Sequence, residues 1–149
     1  AEEIMQEWSA QALYEYTHHI QAKPHVHAYL EQCRQQGARM AVVTSSAPEL
    51  CRATLEKNGL SHYFERLLFA QAFGIEKQNP ALFQAVAETL GVSCSTCLVY
   101  DDSPLACRSA KSAGMQVIGV YDPLFSSSEA EMRTLCDRYI CDFSELLAV

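Results

Sequence analysis

Glycine and proline are scarce in this chain, six and five of its 149 residues, which excludes a collagenous, low-complexity or disordered polymer. Positive charge is scarce too. Eleven Lys plus Arg stand against eighteen acids, for a net charge of −7, and no basic stripe appears. A phosphate backbone or an anionic bilayer is repelled on average, so neither nucleic acid nor membrane is expected as a partner. No apolar run approaches the ~20 residues of a membrane span, and no signal peptide is visible. An even cysteine complement is also lacking. The seven cysteines, Cys33, Cys51, Cys94, Cys97, Cys107, Cys136 and Cys141, are scattered among apolar neighbours. They read as reduced thiols of a cytoplasmic protein, small core residues rather than a disulfide framework. Cys94-x-x-Cys97 has the spacing of half a zinc site, but four residues separate Cys136 from Cys141 and no His-x-x-x-His pair completes a set. What is present is a chain with 49% hydrophobic residues, long enough for one domain around one core.

Hydrophobic periodicity divides the chain into alternating elements. Ile4, Trp8, Ala12, Tyr16 and Ile20 recur at i+4 and predict an amphipathic helix over 2–20, closed before Pro24. A second helix is expected from about His25 to Gln36, with Val26, Tyr29, Leu30 and Cys33 on one face and Gly37 at its end. Met40 to Val43 then reads as a buried parallel strand. Ser46-Ala47-Pro48 opens a helix reaching Lys57 and stopped by Asn58-Gly59. The spacing further predicts strands over Arg66–Phe69, Cys97–Tyr100 and Gln116–Val120, and a short edge strand at Tyr139-Ile140. Helices are predicted from Pro80 to Leu90, from Ser103-Pro104 to Gly114, and from Glu129 to Arg138, with a last turn over 143–147. Strands alternating with helices imply an α/β fold, a parallel sheet with helices on both faces.

In such a sheet ligands bind beyond the carboxyl ends of the strands, so the residues that follow each apolar run are the candidates. Thr44-Ser45-Ser46 offers hydroxyls and backbone donors for an anionic oxygen. Asp101-Asp102-Ser103 offers adjacent carboxylates for a hard cation such as Mg²⁺. Lys77 lies between them as a point charge for a phosphate. Taken singly, each has a plainer role: Thr44 and Ser45 as a helix cap, the two acids as a capping region, and Lys77 as a solvated charge. Taken together, on successive strand–helix units, they would converge at one end of one sheet. His18-His19 and His25-x-His27 suit solvated or capping roles, Trp8 and Tyr16 face missing helices or the core, Asp122 forms a turn before Pro123, and Ser126 to Glu129 reads as loop and helix cap.

These residues resemble the motifs of the haloacid-dehalogenase-like (HAD) hydrolase superfamily, in its phosphoglycolate-phosphatase and β-phosphoglucomutase-like branch. The resemblance runs from about Lys23 to the C-terminus. Val42 to Ser46 is similar to the family's second motif, which implies that Thr44, with Ser45, binds the transferring phosphoryl group. Gly74 to Pro80 is similar to the third, whose lysine, here Lys77, steadies the negative charge, although Gln78 stands where proline commonly follows. Val99 to Ser103, running on to Met115, is similar to the fourth, which implies Mg²⁺ on Asp102, with Asp101 as a second ligand or a water-mediated neighbour. The implied fold is a three-layer α/β/α Rossmann-like core.

The family's first motif, a strand ending in Asp-x-Asp that supplies nucleophile and general acid/base, has no counterpart here, since no Asp precedes Asp101. The resemblance implies that 1–22 is the last helix of a cap plus hinge, and 23–149 an incomplete core, lacking its first strand and most of its cap. The first residue, Ala1, is not Met, so an upstream segment is expected, and association with that segment. The implied activity is Mg²⁺-dependent hydrolysis of a small phosphorylated metabolite through an aspartyl-phosphate, this chain alone being inactive. A phosphosugar mutase needs the same core. A non-catalytic relative that binds phosphate or a partner would fit if the first motif were absent from the gene. A phospho-receiver is disfavoured, because there the acids precede the Thr and Lys. Dehalogenase chemistry leaves the acidic pair without a purpose.

Overall fold

The computed structural model describes residues 21–148, and the expected helix over 2–20, with Trp8, Tyr16, His18 and His19, lies outside them. The described chain forms two compact units that divide between Phe69 and Ala70.

The first unit holds α1 (Val26–Gln35), β1 (Ala41–Thr44), α2 (Pro48–Lys57) and β2 (Arg66–Phe69). Pro48 occupies the first turn of α2, where its missing N–H costs nothing. The helix ends because Gly59 enters the left-handed region at φ +68, which turns the Gly59 N–H to the Glu56 carbonyl and the Leu60 N–H to the Leu55 carbonyl. The same pair of bonds closes α1, from Gly37 to Arg34 and Ala38 to Cys33. β1 and β2 are parallel, in register Ala41↔Arg66 through Thr44↔Phe69. The sequence predicted a buried strand at Met40–Val43; the structure shifts it by one residue and leaves it only half-buried. Among the described residues β1 has a paired strand on one edge only, which accounts for the exposure. Among the described residues of this unit, Cys51, Leu60, Leu68 and Phe69 are buried.

The second unit holds α3 (Ala70–Phe73), α4 (Pro80–Leu90), β3 (Leu98–Asp101), α5 (Pro104–Ser112), β4 (Gln116–Val120), α6 (Glu129–Leu135) and β5 (Arg138–Ile140). Its strands form a parallel sheet in the order β3-β4-β5. Val99 pairs with Val117 and Tyr100 with Ile118, so the pleat sends the valines to one face and Tyr100 and Ile118 to the other. On the first face Val117 packs with Phe83 and Ala87 of α4, Ala106, Cys107 and Ala110 of α5, and Met132 and Cys136 at α6. On the second, Tyr100 meets the ring of Phe143 at 6.2 Å between centroids.

The parallel α/β class is as expected, but the strands form a two-stranded and a three-stranded sheet, because no strand among the described residues pairs with both β1 and β3. The last helix stops at Leu135 instead of Arg138. Asp137 accounts for this: its N–H donates to the Val117 carbonyl and its carboxylate accepts the Val117 N–H at 2.8 Å, locking the chain beside β4 as a strand. Ser128 stands before α6 but makes no side-chain cap, and Pro123–Ser128 is itself a run of 3₁₀ turn. The four-residue α3, directly after β2, was not anticipated. No helix among the described residues is long and apolar enough to cross a membrane.

Candidate functional site

At the carboxyl end of β1, Thr44 is the strand's last residue rather than the first one after it. Its hydroxyl oxygen accepts the Ser46 N–H at 3.0 Å, folding 44–46 into a tight turn ahead of α2. This corrects the capping alternative, since the residue before α2 is Ala47 and no side chain caps that helix. A hydroxyl donates as well as accepts, so Thr44 keeps a hydrogen for an anionic oxygen. Ser45 beside it is exposed. Thr44 pairs with Phe69, and the guanidinium of Arg52 lies 5.4 Å from the Phe69 ring centroid, adding a positive charge that the sequence reading overlooked.

At the carboxyl end of β3 the register carries Asp101 into the ladder opposite Gly119, so this acid too is the strand's last residue. The capping region expected around the acids is present, and its N-cap residue is Ser103. Ser103 caps α5, its hydroxyl accepting the Ala106 N–H at 3.5 Å. Asp101 instead accepts the Ser103 N–H on Oδ1 at 2.9 Å and the Lys77 ammonium on Oδ2 at 2.6 Å. The pair is largely enclosed, with side-chain exposures of 23% for Lys77 and 10% for Asp101, so Lys77 is not a solvated loop charge. The turn 74–79 places Lys77: Gly74 takes φ +67, and Asn79 caps α4 by accepting the Ala81 N–H at 3.0 Å. Asp102, partly buried, follows directly.

Behind these acids sits Cys107, fully buried, its thiol donating to the Asp101 carbonyl at 3.5 Å. Burial first, and then the neighbouring Cys136 and Asp101, push the Cys107 thiol far above its ordinary range, so it stays a neutral packing group. Cys136 is shifted the same way by burial. The described cysteines are free thiols: Cys51, Cys107 and Cys136 are buried, Cys141 is exposed. Among the described residues no group of three or more His, Cys, Asp or Glu side chains is placed to hold a metal, Cys94 and Cys97 included. Asp122 accepts the Leu124 N–H at 2.9 Å, the turn-forming role expected of it.

A match to the family described as haloacid dehalogenase-like hydrolase covers residues 1–120. Among curated relatives, a phosphatase of Mycobacterium tuberculosis, MT3486, is 32% identical over 68% of this chain and 48% of its own length. The phosphoglycolate phosphatase of Vibrio parahaemolyticus is 30% identical over 79% of this chain and 50% of its own. The chain thus spans about half the length of the curated relatives it matches. The solved structure of CbbY from Rhodobacter sphaeroides in complex with phosphate superposes with a TM-score of 0.80 at 20% identity, covering 90% of this chain and 60% of that one. This likeness establishes the fold. The relatives and neighbours include the phosphoglycolate-phosphatase and β-phosphoglucomutase-like branch.

Proposed function

We propose, on the premise that this chain belongs to the haloacid dehalogenase-like hydrolase family, that its protein is a phosphatase for a small phosphorylated metabolite. What carries the reading is the joint placement of Lys77, Asp101 and Asp102 at the carboxyl end of β3, in a chain whose curated relatives include phosphatases. Asp101 and Asp102 supply hard oxygen donors. Mg²⁺ needs only one or two carboxylates, the remaining positions going to water and phosphate oxygens, so the donor set fits Mg²⁺. When bound there, Mg²⁺ supplies Lewis-acid neutralisation of phosphoryl charge.

In the first unit, Thr44 and Ser45 donate hydrogen bonds to phosphoryl oxygens. In the second, the role that the family resemblance implies for the Lys77 ammonium is to offset negative charge on a transferring phosphoryl group. The nucleophile is an aspartate from a segment outside this sequence. Its carboxylate attacks phosphorus as the bond to the leaving oxygen breaks, and water then releases orthophosphate from the aspartyl-phosphate. Among the described residues β1 and β3 are each paired on one side only, which supports a strand contributed by that segment. The setting is cytoplasmic.

The test is orthophosphate release from sugar phosphates and phosphoglycolate by the protein joined to its upstream segment, with Mg²⁺ or with chelator. Asp102→Asn is expected to lower turnover by about 10²-fold or more at retained fold. Near-normal turnover by Asp102→Asn contradicts the metal assignment. Isomerisation of a sugar phosphate without net release of orthophosphate identifies a mutase instead.

A further inference from the structure

Cys94 opens and Cys97 closes a single 3₁₀ turn, Cys94–Thr96, that leads into β3, and the Cys97 N–H donates to the Cys94 carbonyl at 3.0 Å. Both are free thiols, partly buried. We propose that this pair is a redox-active dithiol, which a low-molecular-weight disulfide of the glutathione class oxidises to an intrachain Cys94–Cys97 disulfide and which thiols restore. The pair lies at the amino end of β3, four strand residues or about 13 Å from the carboxyl end that holds Asp101, so the inference is independent of the phosphatase reading.

The turn brings the two residues within bonding range. A 3₁₀ turn rises about 2.0 Å per residue and eclipses side chains three apart, so these two stand about 6 Å from each other, inside the roughly 4.4–6.8 Å between Cα atoms that a disulfide spans. One oxygen clamps the turn. The Ser93 carbonyl accepts the Thr96 N–H at 3.1 Å, the Thr96 hydroxyl at 2.8 Å and the Cys97 thiol at 3.5 Å. A thiol is the weakest of these donors, so Cys97 can leave Ser93 without orphaning its oxygen. Burial, and then Cys94 beside it, push the Cys97 thiol above its ordinary range, so the first attack falls to Cys94 and the second to Cys97. Elsewhere among the described residues nearness and access do not coincide. Cys107 and Cys136 are buried, and Cys141 is exposed but has Cys136 as its nearest cysteine in sequence. The chemistry balances in two exchanges. The Cys94 thiolate attacks one sulfur of the oxidant, forming a mixed disulfide as the oxidant's S–S bond breaks, and the leaving thiolate takes up a proton. The Cys97 thiolate then attacks Cys94 Sγ and expels the second thiolate, protonated in turn. The two cysteines give up two electrons and two protons, and the oxidant becomes two thiols.

The test incubates the protein, joined to its upstream segment, with glutathione disulfide, blocks the remaining thiols with iodoacetamide in denaturant, and maps the fragments by mass spectrometry. In the unsubstituted protein the fragment holding Cys94 and Cys97 is expected to lose both alkylation sites, to be lighter by two hydrogens than its reduced form, and to carry no glutathione. Dithiothreitol should restore both sites, and Cys107 and Cys136 should stay reduced throughout. Cys97→Ser is expected to stop at a mixed disulfide of glutathione with Cys94, whereas Cys94→Ser leaves Cys97 reacting about tenfold more slowly than Cys94 does. Both thiols still free, a lasting glutathione adduct on either in the unsubstituted protein, or a disulfide from either to another cysteine overturns the proposal. So does oxidation of Cys107 and Cys136 at the same rate, since access would then select nothing. Equal rates in the two single variants overturn the order of attack.

Discussion

Replacing Gly119 with alanine is expected to destabilise the second unit, through steric contact and not through backbone strain. A β-carbon on Gly119 stands 2.8 Å from Cys136 Sγ, 2.8 Å from Tyr139 Cδ2 and 3.0 Å from Met132 Cε. Ordinary contacts between such atoms lie at about 3.5–4.0 Å, so each neighbour must retreat by roughly half an ångström to one. Met132 ends in a flexible thioether and can give way. Cys136 is buried and has no open direction, and the partly buried Tyr139 ring is covered on one side by the Arg133 guanidinium at 4.8 Å, so it can move only at the cost of that contact. Overpacking costs ~1–3 kcal/mol, and three contacts at one atom place this case near the upper end. Against that, the new methyl gains ~0.8 kcal/mol from burial. The narrower unfolded ensemble of alanine gains ~0.4–1 kcal/mol more. The net expectation is a loss of ~1–2 kcal/mol, read in a urea titration as a lower midpoint at unchanged slope. Adding Cys136→Ala removes one contact and should recover about 0.5 kcal/mol beyond additivity. A Gly119→Ala chain as stable as its parent would refute the packing described around β4.

Further outcomes follow from other contacts. Asn79→Ala removes the cap of α4, the helix that carries the buried Leu82, Phe83, Val86 and Ala87, and should cost ~1 kcal/mol in the same titration. Asp137→Asn should cost about 1 kcal/mol at neutral pH, discounted for an exposed ion pair. The Lys111 ammonium, and then the Val117 N–H, hold the Asp137 carboxyl below its ordinary 3.8. Its contribution is therefore complete above that value and lost as pH falls through the lower folded value, so parent and variant should converge in acid. In the phosphatase assay, Thr44→Val and Lys77→Met should each lower kcat by ~10²-fold. A substitution at His62, an exposed residue assigned no role, should not, and equal damage there would mean the site is drawn in the wrong place.

The legible parts of the fold were those written in local chemistry. Pro48, Pro80 and Pro104 each mark the first turn of a helix, and Gly59, Gly91 and Gly114 lie where helices close, so those boundaries fell within a residue or two. β2 and β4 matched their predicted spans for a related reason: each opens on a polar residue, Arg66 or Gln116, immediately before its apolar run. Long-range pairing was not legible. Asp101 reads as a loop residue until its partner Gly119 is known, and the edge strand expected at Tyr139-Ile140 is present as β5 but begins at Arg138, where the sequence predicts helix, because Asp137 binds Val117, twenty positions away. The four apolar and polar residues of α3 are too few to show a period. At the site, the residue types and their order were readable, but the bond from Lys77 to Asp101 spans twenty-four positions. No spacing rule predicts which carboxylate a lysine will choose.

The central claim, a phosphatase core whose nucleophile lies outside this sequence, is tested most directly by one comparison. Orthophosphate release from a sugar phosphate in the presence of Mg²⁺ would be measured for the 149-residue chain alone and for the same chain joined to its upstream segment. The account predicts no turnover by the chain alone and Mg²⁺-dependent turnover by the joined protein. Mg²⁺-dependent hydrolysis by the chain alone, or none by the joined protein, would contradict it.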